Sequence, residues 1–323
     1  MQTVFVTGGS GFVGRNLIRA LRQRGISVRA LARSPRAQAA VRALGAEVVP
    51  ADLDTLQADA LRGCDTVFHA AAQVAEWGSK ASFWHVNVDG TAALLTVARA
   101  AGVRRFVHVS TEAVLADGKP LREVDETHPY PARPLPRYAA SKQAAEQRVR
   151  AANSAGFETV VIRPRLIWGD DDTSLLPQLA AAARAGKFMW IDGGRQRTST
   201  CHVRNVVHGA LLAAERGTPG GVYFLTDGAP QPTRDFFTRL FATQGIPAPT
   251  RSLPFALAYG LAALCEALWN LLPLPGQPPI SRLPVALFGN DITVVAARAQ
   301  QELGYRPVIT VDEGLSTMSK SGI

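Results

Sequence analysis

The sequence is short of cysteine. Its 323 residues hold three, Cys64, Cys201 and Cys265. They are odd in number and far apart, which excludes a disulfide framework and a thiolate ligand cluster. Reduced cytoplasmic thiols are the expectation. His69 and His108 lie in strand-like apolar runs and read as core histidines, and His202 and His208 lack an accompanying cluster of cysteines or carboxylates, so no catalytic metal is expected. Aromatics make up 7% of the chain and do not interleave with the basic residues. The formal charge is +9, but its arginines are spread over the whole length with no nucleic-acid motif. Nucleic acid is therefore not an expected partner, and an anionic ligand or an acidic membrane surface makes better use of the positive field. The start, MQTVFVTGG, has neither a basic segment nor a long apolar run before its glycines, so no signal peptide is expected.

What is present points to a folded α/β chain, with 47% hydrophobic and 19% charged residues. A length of 323 residues suits one large domain with a smaller partner. Thr3–Thr7 reads as a buried strand, GGSGFVG at Gly8–Gly14 follows, and NLIRALRQRG then spaces Leu17, Ile18 and Leu21 as a helix does. Strand, glycine turn and helix form a dinucleotide fingerprint. Gly8 allows the sharp turn, Gly11 lets backbone approach a pyrophosphate, and Gly14 lets the helix lie close to the sheet. Gly8, Gly11, Phe12, Val13 and Gly14 are thus cofactor-binding candidates, with the helix N-terminus offering free N–H groups. Further strands follow near Leu31, in AEVVPADL, DTVFHAAA and RRFVHVST, and near Val160–Ile162, separated by helical segments. The pattern predicts a Rossmann-type parallel sheet with helices on both faces. The expected division is 1–168 for dinucleotide binding and 169–323 for a smaller, mainly helical substrate cap, with parts near 203–228 returning to the first domain.

No carboxylate follows the second strand until Glu47, where an NAD-type site usually places one on the adenosine ribose. Arg33, Ser34 and Arg36 stand there instead and would welcome a 2′-phosphate. NADP(H) is therefore expected over NAD(H). Asp52 and Leu53, after the third strand, are candidates for the adenine region; Asp52 equally suits a cap.

PRYAASKQAAE places Tyr138 and Lys142 four apart, on one helix face. The ammonium is expected to favour the tyrosinate and to hold the nicotinamide ribose. A tyrosine so placed can exchange a proton with a developing alkoxide. Thr111 ends the fifth strand, where its hydroxyl can orient a carbonyl.

TGGSGFVG, VFHAAA at Val67–Ala72, VHVST, YAASK at Tyr138–Lys142 and RPRLIWG at Arg163–Gly169 together resemble the extended short-chain dehydrogenase/reductases. The resemblance implies a catalytic set of Thr111, Tyr138 and Lys142, with Ser110 as the alternative hydroxyl. It also implies cofactor contacts at Ala70, Ala71, Ala72 and Pro164, and a supporting role for Asn87. AEWGSKASFWHVNVDGT at Ala75–Thr91, HVRNVVHGALLAAE at His202–Glu215 and ELGYRPVITVDEGL at Glu302–Leu315 are similar to the 3-beta-hydroxysteroid and sterol dehydrogenase branch and to bacterial 2-alkyl-3-oxoalkanoate reductases. Arg204 and Glu112 depart from that pattern, the former where aspartate is common and the latter where a small residue is.

These readings imply hydride exchange between a nicotinamide cofactor and a bulky apolar ketone or secondary alcohol. A nucleotide-sugar epimerase, dehydratase or reductase is the rival, kept open by Arg195 and Arg197. FALAYGLAALCEALWNLLPL, Phe255–Leu274, is a long run with one formal charge, at Glu266. A polar face of Tyr259, Ala263, Glu266 and Asn270, with prolines at Pro254, Pro273 and Pro275, argues against a span. A cap helix at the substrate, peripheral membrane contact and dimer contact are the uses it leaves; a homodimer also suits the family resemblance.

Overall fold

The structure, a computed structural model, describes residues 1–74, 77–135, 137–272 and 274–321. Ala75 and Glu76 of the Ala75–Thr91 motif, Pro136 and Pro273 lie outside the described residues. Seven strands form one parallel sheet: β1 (Thr3–Thr7), β2 (Ser27–Leu31), β3 (Glu47–Val49), β4 (Thr66–His69), β5 (Arg105–Val109), β6 (Glu158–Pro164) and β7 (Val222–Leu225). Their spatial order is β3-β2-β1-β4-β5-β6-β7. The order reverses between β1 and β4, which is where a ligand crevice opens beyond the strand ends.

The helices are α1 (Phe12–Gln23), α2 (Pro35–Ala43), α3 (Gly90–Ala100), α4 (Tyr138–Ala151), α5 (Leu175–Arg184), α6 (Val203–Arg216), α7 (Thr233–Ala242), α8 (Phe255–Leu271), α9 (Arg282–Gly289) and α10 (Val311–Ser321). Residues along each strand alternate between faces. Val4 and Val6 pack with Leu17, Ile18 and Leu21 of α1 and Val206 and Ala210 of α6. Phe5 points the other way, into a cluster with Leu94 and Ala98 of α3 and Val149 of α4. Both faces are therefore covered, as near-continuous apolar strands require. β7 pairs in parallel with β6, so this late segment belongs to the same sheet as the N-terminal strands.

The remainder builds a cap with its own aromatic core of Trp168, Trp190, Phe236, Phe237 and Phe241. A small sheet of Gln231–Pro232, Arg197–Thr198, Ile292–Val294 and Leu121–Val124 braces it. The helix expected around NVDGT is reached through a four-residue helix, Lys80–Phe83, and a π-helical turn, Trp84–Asp89, that runs into α3. Such turns recur at functional sites, and this one buries Asn87.

Candidate active site

The turn after β1 is built by close approach. Gly8 has φ +70°, and a Cβ there would lie 2.7 Å from the Ala70 carbonyl carbon. A Cβ on Gly14 would lie 2.1 Å from the Gly8 oxygen. Gly11 is the N-cap of α1 and lends no side-chain cap, and the first turn carries no acidic residue. The N–H groups of Phe12, Val13 and Gly14 are therefore left without a side-chain cap, as an anion-binding helix N-terminus requires.

This turn abuts the loop of Ala70, Ala71 and Ala72 after β4. The Ala71 N–H donates to Thr7 Oγ1 at 3.2 Å. The Thr7 hydroxyl meets His69 Nδ1 at 2.7 Å, His69 Nε2 meets Thr91 Oγ1 at 2.8 Å, and Thr91 donates to the Asn87 carbonyl at 2.6 Å. Burial, aided by the Lys142 charge, pushes His69 down to about 3, so the ring is neutral and links donor to acceptor. Asn87 Nδ2 then donates to Ser141 Oγ at 2.9 Å, and its Oδ1 accepts from the Gln73 N–H at 2.7 Å. One hydrogen-bonded chain thus joins the glycine turn to α4.

At the end of β2, Arg33 and Arg36 are exposed. Ser34 caps α2, its oxygen accepting from the Ala37 N–H at 3.2 Å. The Asp52 carboxylate closes a turn on the N–H groups of Asp54 and Thr55 at 3.1 and 3.0 Å. Leu53 packs over Gly90, where a Cβ would lie 2.8 Å from its Cδ1.

Thr111, Tyr138 and Lys142 converge beyond the end of β5. Thr111 Oγ1 accepts from the Ala113 N–H at 3.2 Å and donates to Glu112 Oε2 at 2.8 Å. The Thr111 hydroxyl also bears on the Tyr138 phenol, favouring its ionised form. Lys142, buried, donates to the Val109 carbonyl at 2.9 Å and lies 3.4 Å from His108 Nε2. Burial lowers Lys142 to about 8, with Glu146 pulling the other way. Tyr138 departs from expectation. Burial and then the Glu112 carboxylate raise its pKa, and the Thr111 bond only partly opposes them. Lys142 is not among the groups that lower it; its ammonium donates to the Val109 carbonyl and lies against His108. Pro164, buried at the end of β6, separates two arginines with different carboxylate partners.

Those arginines are what spacing alone did not find. Arg163 pairs with Glu146 at 2.5 Å, and Arg165 with Glu112 at 2.9 Å, all four side chains nearly fully buried. The RPRL motif showed both arginines but neither partner. Arg195 and Arg197 are exposed, and Arg197 donates to the Pro230 carbonyl at 2.8 Å.

Residues 4–225 match the family described as the NAD dependent epimerase/dehydratase family. The chain is 52% identical to a 4-hydroxy-2-methyl-3-oxo-4-farnesyl-3,4-dihydroquinoline-1-oxide ketoreductase of Stigmatella aurantiaca, over 98% of this chain and 96% of that one. It is 37% identical to a 2-alkyl-3-oxoalkanoate reductase of Stenotrophomonas maltophilia, over 98% of each. Among solved structures, a short-chain dehydrogenase/reductase superfamily protein from Agrobacterium tumefaciens with bound NAD is 25% identical with a TM-score of 0.76, covering 99% of this chain and 97% of that one. MoeE5 in complex with UDP-glucose and NAD, at 24% identity, has a TM-score of 0.76 over 98% of this chain and 97% of that one, and shows the fold alone.

These findings overturn the expectation of NADP(H). The family is described as NAD dependent, and NAD is the cofactor in both solved structures. The geometry agrees in part: Ser34 is occupied as a helix cap, and Arg33 and Arg36 are exposed. Nor do the comparisons single out the sterol dehydrogenase branch, since ketoreductases of other substrates and sugar-nucleotide enzymes match as well. The chain belongs to the NAD dependent epimerase/dehydratase family of extended short-chain dehydrogenase/reductases, and is an enzyme that acts on a CH–OH or C=O group.

Proposed function

We propose that the chain is an NAD(H)-dependent oxidoreductase that interconverts a bulky, largely apolar ketone and its secondary alcohol. The observation that carries this reading is the convergence of Thr111, Tyr138 and Lys142 beside the glycine turn. The turn fits a pyrophosphate, because Gly8 and Gly14 leave no room for a Cβ and α1 has no side-chain cap. Bound NAD(H) would supply or accept the hydride. Thr111 holds the substrate oxygen, and Tyr138 passes its proton to that oxygen as the carbinol forms. Lys142 leaves the Val109 carbonyl to hold the ribose and steady the tyrosinate that results. The ketoreductases at 52% and 37% identity support a ketone, one borne on a farnesylated ring and the other in an alkyl-chain acid.

The apolar cap supports the same reading. No helix among the described residues is long and apolar enough to cross a membrane. α8 nonetheless exposes Leu257, Leu261, Leu264, Leu268 and Leu271. That stripe supports peripheral contact with a lipid surface that dissolves such a substrate.

A second reading is a nucleotide-sugar epimerase or dehydratase. The family description, which names epimerases and dehydratases, favours it more directly than it favours any alkanoate or steroid. The experiment follows NADH oxidation at 340 nm with a long-chain 2-alkyl-3-oxo ester, a prenylated ring ketone and a nucleotide-diphosphate 4-keto sugar. Turnover of either apolar ketone, lost by about 10²–10⁴ in Tyr138→Phe, is the expected result. Turnover of the sugar nucleotide alone moves the assignment to the second reading.

A further inference from the structure

We propose that the Glu112–Arg165 pair is a charge filter beside the catalytic hydroxyls, reserving the site for ketones with no ionised acid group next to the carbonyl. The proposal rests on the ketone reading above and narrows its substrate class. It would place neutral ring ketones or esters inside that class and free 3-oxo carboxylates outside it.

The two oxygens of Glu112 serve different partners. Oε1 accepts from Arg165 Nη1 at 2.9 Å, and Oε2 accepts from Thr111 at 2.8 Å. Arg165 turns away from the reacting atoms: its Nη2 donates to the Leu287 carbonyl in α9 at 2.9 Å, and its Nε has no hydrogen-bond partner. The guanidinium thus neutralises the pair as a whole, while the carboxylate edge faces Thr111 and Tyr138. A substrate oxygen must lie within hydrogen-bond reach of both hydroxyls. A carboxylate attached one carbon away would then sit against Glu112 Oε2, in a buried setting where two like charges repel strongly.

The remaining charged groups do not relieve this repulsion. Lys142 is held by Val109 and His108, and Glu146 and Arg163 close on each other. Glu112 is the charge that bears on Tyr138, and after burial it is what raises the phenol's pKa.

Thr111 shows how closely the filter is tied to the chemistry. Its hydroxyl accepts from the Ala113 N–H and gives its one proton to Glu112 Oε2. To hold a substrate carbonyl it must turn that proton to the substrate oxygen, which leaves Oε2 bare. A carboxylate beside the carbonyl then meets that bare oxygen, and a neutral group does not carry the repelling charge.

The test uses a 2-alkyl-3-oxoalkanoate and its methyl ester, which share a carbon skeleton, with NADH. The readout is the ratio of kcat/KM for ester over acid in the wild type, Glu112→Gln and Arg165→Gln. The expected wild-type ratio is at least about tenfold in favour of the ester. Glu112→Gln removes the charge and keeps an acceptor for Thr111, so the ratio falls by about tenfold or more; Arg165→Gln leaves the carboxylate unbalanced, so it rises. NADH binding, followed by fluorescence, reports folding independently of turnover. Where either single variant fails to bind NADH, the neutral double variant E112Q/R165Q replaces it, with a ratio expected to fall. A wild type that prefers the acid, or a ratio unmoved by all folded variants, overturns the charge filter and leaves the ketone reading standing. Turnover of neither compound, nor of a ring ketone, overturns both.

Discussion

Two buried Glu–Arg pairs, made of the same residue types and sharing the Arg163–Pro164–Arg165 segment, are wired differently. Glu146 is saturated. It accepts from Arg163 Nε and Nη2 at 3.0 and 2.5 Å, from the Tyr130 hydroxyl at 2.6 Å, and from Ser110. The Arg163 guanidinium lies over the rings of Tyr130 and Phe224. Glu112 gives one oxygen to Arg165 and the other to the Thr111 hydroxyl. Composition therefore does not decide what a buried ion pair does; the identity of its third partner does.

The sharpest way to break the comparison is Glu146→Ala. It strands Arg163 without its carboxylate, and removal of one partner of a buried pair costs about 3–5 kcal/mol. Urea unfolding should show that loss, and E146L/R163M should recover most of it, since a packed apolar pair replaces a buried ion pair at little cost. A loss below about 1 kcal/mol in Glu146→Ala would mean that the saturated pair is not a structural one.

Lys142 lies one turn before Glu146 on α4 and gives the next effect. Its folded pKa, about 8, is below its ordinary value of 10.5. In that interval the unfolded chain binds the extra proton. Burial of Lys142 therefore weakens the fold below pH 8, and stability should rise as pH climbs from about 8 towards 10.5. Lys142→Met should flatten that rise, by no more than about 3 kcal/mol, in unfolding measured across pH 7–10 without cofactor. An unchanged slope would place the lysine in contact with water.

Much of this was legible because local rules act over few residues. The alternation of Val4, Phe5 and Val6, the glycines at 8, 11 and 14 and the four-residue spacing of Tyr138 and Lys142 each encode a period or a turn. Glu112 and Arg165 lie 53 residues apart, and no period links them. The cofactor reading failed for a related reason. Arg33 and Ser34 were read by type, but orientation decides, and Ser34 is turned into its helix as a cap. Ser34→Ala should cost about 1 kcal/mol in unfolding and leave NADH affinity within about twofold; a larger loss of affinity would return Ser34 to the cofactor.

A third pair, Glu266–Arg282, decides which way α8 faces, a choice that sequence periodicity left open between a cap, a lipid surface and a dimer. Glu266 is buried, accepting from the Arg282 backbone N–H at 2.7 Å and its Nε at 2.8 Å, while Ala258, Ala262 and Cys265 pack inward beside it. Satisfying that one carboxylate against α9 leaves the leucines outside, with Leu257 at 59% and Leu271 at 81% exposure. Leu257→Ser with Leu264→Ser should therefore change stability by no more than about 0.5 kcal/mol per site, as exposed substitutions do. The same double variant should bind anionic phospholipid vesicles severalfold less well in sedimentation, if that face meets lipid. A fold weakened by several kcal/mol would instead mean that the leucines are covered by protein in solution, and unchanged vesicle binding in a stable variant would place any lipid contact elsewhere on the chain.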